Sequence, residues 1–148
     1  MIPKFLTNDN LSPGIYETTW DQFCERFGYT ERRRALIEGL ASALRDLSTA
    51  GCTMVYINGS FVTAKKIPGD YDLCWSIDGV IPEKLNPILL DFSTNGRALM
   101  KQKYKGDLFP AETPEGASGK RFLDFFQIDK RTDEPKGIIS LEIGYFDD

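Results

Sequence analysis

Hydrophobic and polar positions along the chain change period several times, and each change predicts an element. Residues 1–18 carry turn chemistry at Pro3, Asn8, Asn10 and Ser12-Pro13-Gly14, so they read as an extended arm pinned by Ile15 and Tyr16. Trp20, Phe23 and Phe27 follow at i, i+3 and i+7, the spacing of a short helix capped by Thr19 and ended by Gly28. Such an aromatic stripe is a core face. Leu36, Ile37, Leu40, Leu44 and Leu47 predict the longest helix, over 31–50, with Thr30 as its N-cap and Gly51 just past its end. Apolar runs at 53–58 and 71–77 read as two strands flanking a polar connector. Pro82 suits the start of a helical stretch to residue 90, which Pro87 interrupts. Ser93 or Thr94 caps a further helix through 103, with Leu99 turned inward. A third strand at 107–109 is kept short, or at an edge, by Pro110. The Gly/Pro/Ser/Glu-rich stretch 111–120 predicts a mobile loop. Phe122, Phe125 and Phe126 have helical spacing, 129–136 is a polar turn, and 138–143 is a closing strand with Ile139, Leu141 and Ile143 on one face. The fold class expected is α/β (α+β), one mixed sheet in a single domain over 1–148.

The stretch 55–75, VYINGSFVTAKKIPGDYDLCW, carries the candidate chemistry. Its first strand ends in Asn58-Gly59-Ser60, and its second opens with Asp70-Tyr71-Asp72. Side chains alternate along a strand, so Asp70 and Asp72 project to one face, roughly 6–7 Å apart. Two neighbouring carboxylates repel unless a cation sits between them. A divalent metal, Mg²⁺ or Mn²⁺, is the economical candidate for an all-oxygen site. Gly59 permits a sharp exit and close backbone approach to a ligand, and Ser60 offers a hydroxyl and an amide N–H to a phosphate. The plainer reading of Asp70, after Pro68-Gly69, is a turn residue. Asp72 is harder to explain that way, because strand interiors are depleted in Asp.

Composition narrows the chemistry. The 148 residues carry a formal net charge of −4, which argues against a broad basic surface for duplex DNA. There is no His, so carboxylates must do any acid–base or metal-ligating work. Three Cys, at 24, 52 and 74, have no metal-ligand spacing and read as reduced, buried thiols suited to the cytoplasm. The first residues have no signal-peptide core and no apolar stretch could span a bilayer, so a membrane role is not expected. Arg32, Arg33 and Arg34 read as a solvated face, with contact to polyphosphate or RNA as the second reading. Lys101, Lys103 and Lys105 form the most basic local cluster, and Lys120 and Arg121 are further candidates for phosphate contact.

Gly59-Ser60, nine intervening residues and then Asp70-Tyr71-Asp72-Leu73 resemble the signature of the DNA polymerase β-like nucleotidyltransferase superfamily, closest to its minimal members. The fuller string GSFVTAKKIPGDYDL, with the LSPGIY start and the FFQIDK and KGII end, is similar to a group of small bacterial and phage proteins, the DUF6932-like group. The resemblance implies a nucleotidyltransferase-like mixed sheet. It implies metal binding by Asp70 and Asp72, with a third carboxylate on a neighbouring strand that shares a metal and activates the nucleophile. Asp107 is the choice for that role and Glu142 the fallback. Gly59 and Ser60 would hold the β/γ-phosphates, with Lys65 or Lys66 adding charge. The expected activity is metal-dependent transfer of NMP from an NTP, ATP in the first instance, to a protein or RNA hydroxyl, in a toxin–antitoxin or phage-defence setting with a partner toxin. The alternative is an inactive relative that acts on its partner by contact. A third reading is an RNA or nucleotide sensor using the arginine or lysine clusters.

Overall fold

A computed structural model gives the fold of residues 2–144 and 146; Met1, Tyr145, Asp147 and Asp148, which the expected arm and domain limits include, lie outside the described residues. The elements run β1 (Gly14–Thr18), α1 (Trp20–Phe27), α2 (Glu31–Thr49), β2 (Met54–Asn58), β3 (Tyr71–Trp75), α3 (Thr94–Tyr104), β4 (Gly106–Pro110), α4 (Phe122–Phe125) and β5 (Gly137–Glu142), with 3₁₀ turns at Ser60–Val62, Pro82–Lys84 and Pro87–Leu90. One mixed sheet of order β1-β5-β2-β3-β4 results. β1 pairs parallel with β5 and β3 with β4, while β2 is antiparallel to both β5 and β3. β2 therefore runs against the other four strands. Its C-terminal end lies beside the N-terminal ends of β3, β4 and β5, and this is what assembles the site.

The helices start where capping chemistry puts them. The side chains of Thr19, Thr30 and Ser93 accept hydrogen bonds from the backbone N–H groups of Gln22, Arg33 and Gly96. Leu36, Leu40, Leu44 and Leu47 of α2 are buried against Val55, Ile57, Tyr71, Leu73, Leu108 and Ile139 of the sheet. Phe23 and Phe27 of α1 join this core with Phe61. The opposite sheet face is covered only in part, by Phe122, Leu123, Phe125 and Phe126 around Cys74 and Ala111. No helix among the described residues is long and apolar enough to cross a membrane.

Four expectations change. The arm at 1–18 contains β1, whose Ile15 and Tyr16 register with Ile138 and Ile139. Leu99 is 47% exposed; Gly96, Met100 and Tyr104 are the inward positions of α3. The arginine run is a solvated face only at Arg32 and Arg34, which are exposed. Arg32 donates to the carbonyls of Pro68 and Gly69, Arg34 to that of Gly28, and Arg33 is buried. Both sides of the Gly59–Asp70 connector are thus tied to the start of α2. The predicted helix to residue 90 is two 3₁₀ turns, as its prolines require.

Gly39 is the contact point of α2 and α3: a Cβ there would meet the Tyr104 carbonyl and the Lys105 side chain. Replacing a mid-helix glycine by alanine ordinarily gains stability. Gly39→Ala is expected instead to cost about 2 kcal/mol by overpacking, read as a melting temperature lower by about 6 °C.

Candidate functional site

Register alone brings the key side chains together. Asn58 of β2 pairs with Asp72 of β3, and Asp72 pairs with Asp107 of β4. Directly paired residues point to the same face, so the three form a row across adjacent strands with neighbouring Cβ atoms about 5 Å apart. The row lies on the half-covered face, at the end of β2 and the starts of β3 and β4. Asp70 precedes β3 on the same side.

The row is rich in acceptors and short of donors. Asn58 and Asp107 are buried, and Asn58 Oδ1 and Asp107 Oδ1 have no hydrogen-bond partner. Burial, with Asp70 and Asp107 nearby, pushes the Asp72 carboxyl up to about 6. Two cations from α3 reach the row. Lys101 Nζ stands 3.3 Å from Asp70 Oδ2 and 3.4 Å from Asp107 Oδ2, while Arg97 Nη2 is 3.6 Å from Asp107 Oδ1, outside hydrogen-bond reach.

Gly59 explains the close approach of β2 to Asp72. Its φ is +86°, and a Cβ on it would lie 2.6 Å from Asp72 Oδ2. Gly59→Ala is therefore expected to cost about 3 kcal/mol, from left-handed strain plus the clash. Chemical denaturation measures that cost, and a simultaneous loss of ligand binding at Asp72 is expected with it.

The row opens into a cavity of about 450 Å³, walled by Phe109, Phe122, Phe125, Phe126 and Ile128 and rimmed by Arg97, Glu115, Asp129, Lys130 and Lys136. Phe109 and Phe122 stack at 4.4 Å and 4°, and the Lys130 ammonium lies 5.3 Å from the Phe125 ring centre. A second, polar cavity of about 450 Å³ adjoins it, lined by Gly59, Ser60, Thr63, Lys65, Arg131 and Lys136 among others. Gly59, Asp129 and Lys136 belong to both. Burial lowers the Lys136 pKa, and no ion pair to it is seen among the described residues. Asp129, by contrast, is committed: it accepts hydrogen bonds from Asn10 and Arg131.

The expected site residues are thus partly assembled. Gly59, Asp72 and Asp107 meet, Ser60 and Lys65 line the adjoining cavity, and Asp70 is held by Lys101. Lys66 lines neither cavity, and its carbonyl accepts a hydrogen bond from Thr30. Glu142 pairs with Met54 at the opposite end of β2, so Asp107 is the carboxylate beside Asp72. Arg121 pairs with Asp124. Asn58, Arg97 and Lys136 are cavity residues that sequence reasoning passed over. Asn58 had a weak signal, as the one polar residue closing an apolar strand; Lys136 had none, since only the pairing of β5 with β2 brings it there.

Among the described residues no three Asp, Glu or Cys side chains are grouped as a metal cluster by themselves. With Asn58 counted, the row supplies oxygen donors on three adjacent strands, two of them buried without partners, and two carboxylates whose repulsion a cation would relieve. That donor chemistry fits a hard divalent ion such as Mg²⁺.

Fold and row together define a mixed α/β protein with a charged cavity where β2 ends and β3 and β4 begin. The model of the family of unknown function DUF6932 matches residues 3–142, and the chain belongs to that family. No curated protein and no solved structure matches it.

Proposed function

We propose that this protein is a nucleotidyltransferase of the DNA polymerase β-like type, transferring NMP from an NTP to a hydroxyl of a protein or an RNA. The observation that carries the reading is the Asn58–Asp72–Asp107 row at the Gly59 exit, with its buried, unpartnered oxygens. Nucleotidyl transfer asks a protein mainly for positioning and charge control. Mg²⁺, held by Asp72 and Asp107, would neutralise the triphosphate and favour ionisation of the attacking hydroxyl.

The chain's own groups supply the rest. Gly59 has no side chain to keep a triphosphate from the β2 exit, and Ser60, Lys65 and Lys136 line the polar cavity where its phosphates would lie. Lys136 is a partly desolvated cation with no ion pair among the described residues, suited to an anion arriving from solvent. Asp107 Oδ1 accepts no hydrogen bond and would share in holding Mg²⁺ beside the attacking hydroxyl. The phenylalanine wall begins at Phe109, two residues along β4 from Asp107, and would face an acceptor bound beside Asp107.

The test is incubation of the purified protein with Mg²⁺ or Mn²⁺ and each α-labelled NTP, in the presence of host extract. Metal-dependent label on a protein or RNA band supports transfer and identifies the acceptor class. Its absence from folded protein supplied with the neighbouring gene product would overturn the reading.

One observation favours a second reading, an inactive relative that acts by contact, as an antitoxin would. The Lys101 ammonium already neutralises Asp70 and one oxygen of Asp107. That reading requires partner binding to survive Asp72→Asn unchanged.

A further inference from the structure

Lys101 lies in the last turn of α3 and reaches back over the start of β4. Its side chain is half exposed, yet the ammonium is fixed between two carboxylates, 3.3 Å from Asp70 Oδ2 and 3.4 Å from Asp107 Oδ2. Asp70 thus has its cation within the chain. The other oxygen of Asp107 is held more loosely: Oδ1 is buried with no hydrogen bond, and its ion-pair partner, Arg97 Nη2, stands 3.6 Å away with its guanidinium over the Phe109 ring. Asn58 Oδ1, 5% exposed as a residue and lining the same cavity, is also without a partner. The oxygens still short of donors therefore lie on one side of the row, at Asn58 and Asp107 Oδ1, beside Asp72. The Asp70 side is satisfied.

Two-metal phosphoryl-transfer sites place their ions about 3.5–4 Å apart, bridged by shared carboxylates. Here Asp107 would be the shared carboxylate, with one oxygen turned to Lys101 and the other, without a hydrogen bond, 3.6 Å from Arg97. We propose that the site takes a single divalent cation at Asp72 and Asp107, beside Asn58, and that the Lys101 ammonium stands where a second ion would otherwise bind at Asp70. The proposal rests on the cation-binding reading above and refines it: Asp70 becomes a positioning residue for Lys101 rather than a metal ligand. Lysine suits this place because its ammonium is a compact point charge, closer to an ion than a planar guanidinium is.

The experiment is a titration of the full chain with Mn²⁺ alone, followed by the electron paramagnetic resonance of free Mn²⁺, with a thermal melt of each variant as the check on folding. Wild type is expected to bind one ion. Asp72→Asn and Asp107→Asn should abolish that binding, and Asn58→Ala should weaken it on the order of tenfold. Asp70→Asn should leave the affinity within about twofold, since Asp70 is no ligand. Lys101→Met, which exposes Asp70 and Asp107 Oδ2, should raise the stoichiometry to two, and Lys101→Arg should keep it at one. Two ions on wild type, one ion on folded Lys101→Met, or loss of binding in Asp70→Asn would each overturn the single-ion proposal while leaving a cation site in place. If Lys101→Met does not fold, the wild-type count and Asp70→Asn decide the matter. No Mn²⁺ bound to folded wild type would remove the cation-binding reading itself, and this proposal with it.

Discussion

Arg33→Met is expected to lower the unfolding free energy by about 4 kcal/mol, as breaking a buried charged network does. The side chain is fully buried although it follows the N-cap of α2 by only three residues. Its guanidinium donates to the carbonyls of Phe27, Phe61, Thr63 and Lys65, at 2.6 to 3.1 Å, and lies over the rings of Tyr29 and Phe61. Three of those carbonyls belong to the connector after Gly59, whose only regular structure is one 3₁₀ turn. That segment satisfies its backbone through the arginine fork rather than through a strand or helix of its own. Methionine would fill much of the space and leave the carbonyls without donors, and that desolvation cost is the larger part of the loss. Arg33→Lys keeps the charge but not the fork, so about half the loss is expected. Urea unfolding measures both. A loss below about 1 kcal/mol for Arg33→Met, the range of a surface change, would mean that the connector is held by something else. Because the same connector begins at Gly59-Ser60, Arg33→Met should also loosen the ligand cavity.

What could be read from the chain was whatever chemistry is local. Caps, prolines and apolar period place α1, α2, α3, β2, β3 and β4 within a residue or two, and the Gly59-Ser60 to Asp72 spacing pointed to the end of the sheet where Asn58, Asp72 and Asp107 line up. What escaped depends on partners distant in sequence. β1 looks like an arm because five residues after Pro13 have no local reason to be a strand; their reason is β5, more than a hundred positions later. Arg33 sits in a run of three arginines, and nothing in that run says that the middle one points inward toward backbone that only tertiary folding delivers. Leu99 was assigned inward on hydrophobicity, whereas the period of α3 follows Gly96, Met100 and Tyr104. Lys101 is the instructive case. Carboxylates at i and i+2 called for a cation between them, and the sequence argument reached for a metal. The chain carries a cation of its own on α3, and it lies between Asp70 and Asp107 rather than between Asp70 and Asp72.

Asp72→Asn is expected to move activity and stability in opposite directions, and that opposition separates a functional carboxylate from a structural one. On the proposed reading, transfer should fall on the order of a thousandfold, since the row loses a charged ligand at the point of developing negative charge. Stability should rise. Burial first, then Asp70 and Asp107, push this carboxyl from an ordinary 3.8 up to about 6 in the folded chain. Between those values the folded state binds more protons than the unfolded one, so stability falls as pH rises through the window from about 4 to about 6. Below it the group imposes no penalty. Above it the penalty is full, about 3 kcal/mol for a shift of that size. Asparagine cannot ionise, so the variant should lack this fall and be the more stable protein at pH 7. Urea unfolding from pH 4 to 7 in the presence of a chelator reads the effect. Mn²⁺ should then restore stability at pH 7 in wild type and not in the variant, because a ligand that binds the native state alone stabilises it. A wild type no less stable at pH 7 than at pH 4, or a variant weaker than wild type throughout, would show Asp72 to be a structural member of β3. An aspartate that weakens its own fold until a cation arrives is one whose retention the fold does not explain.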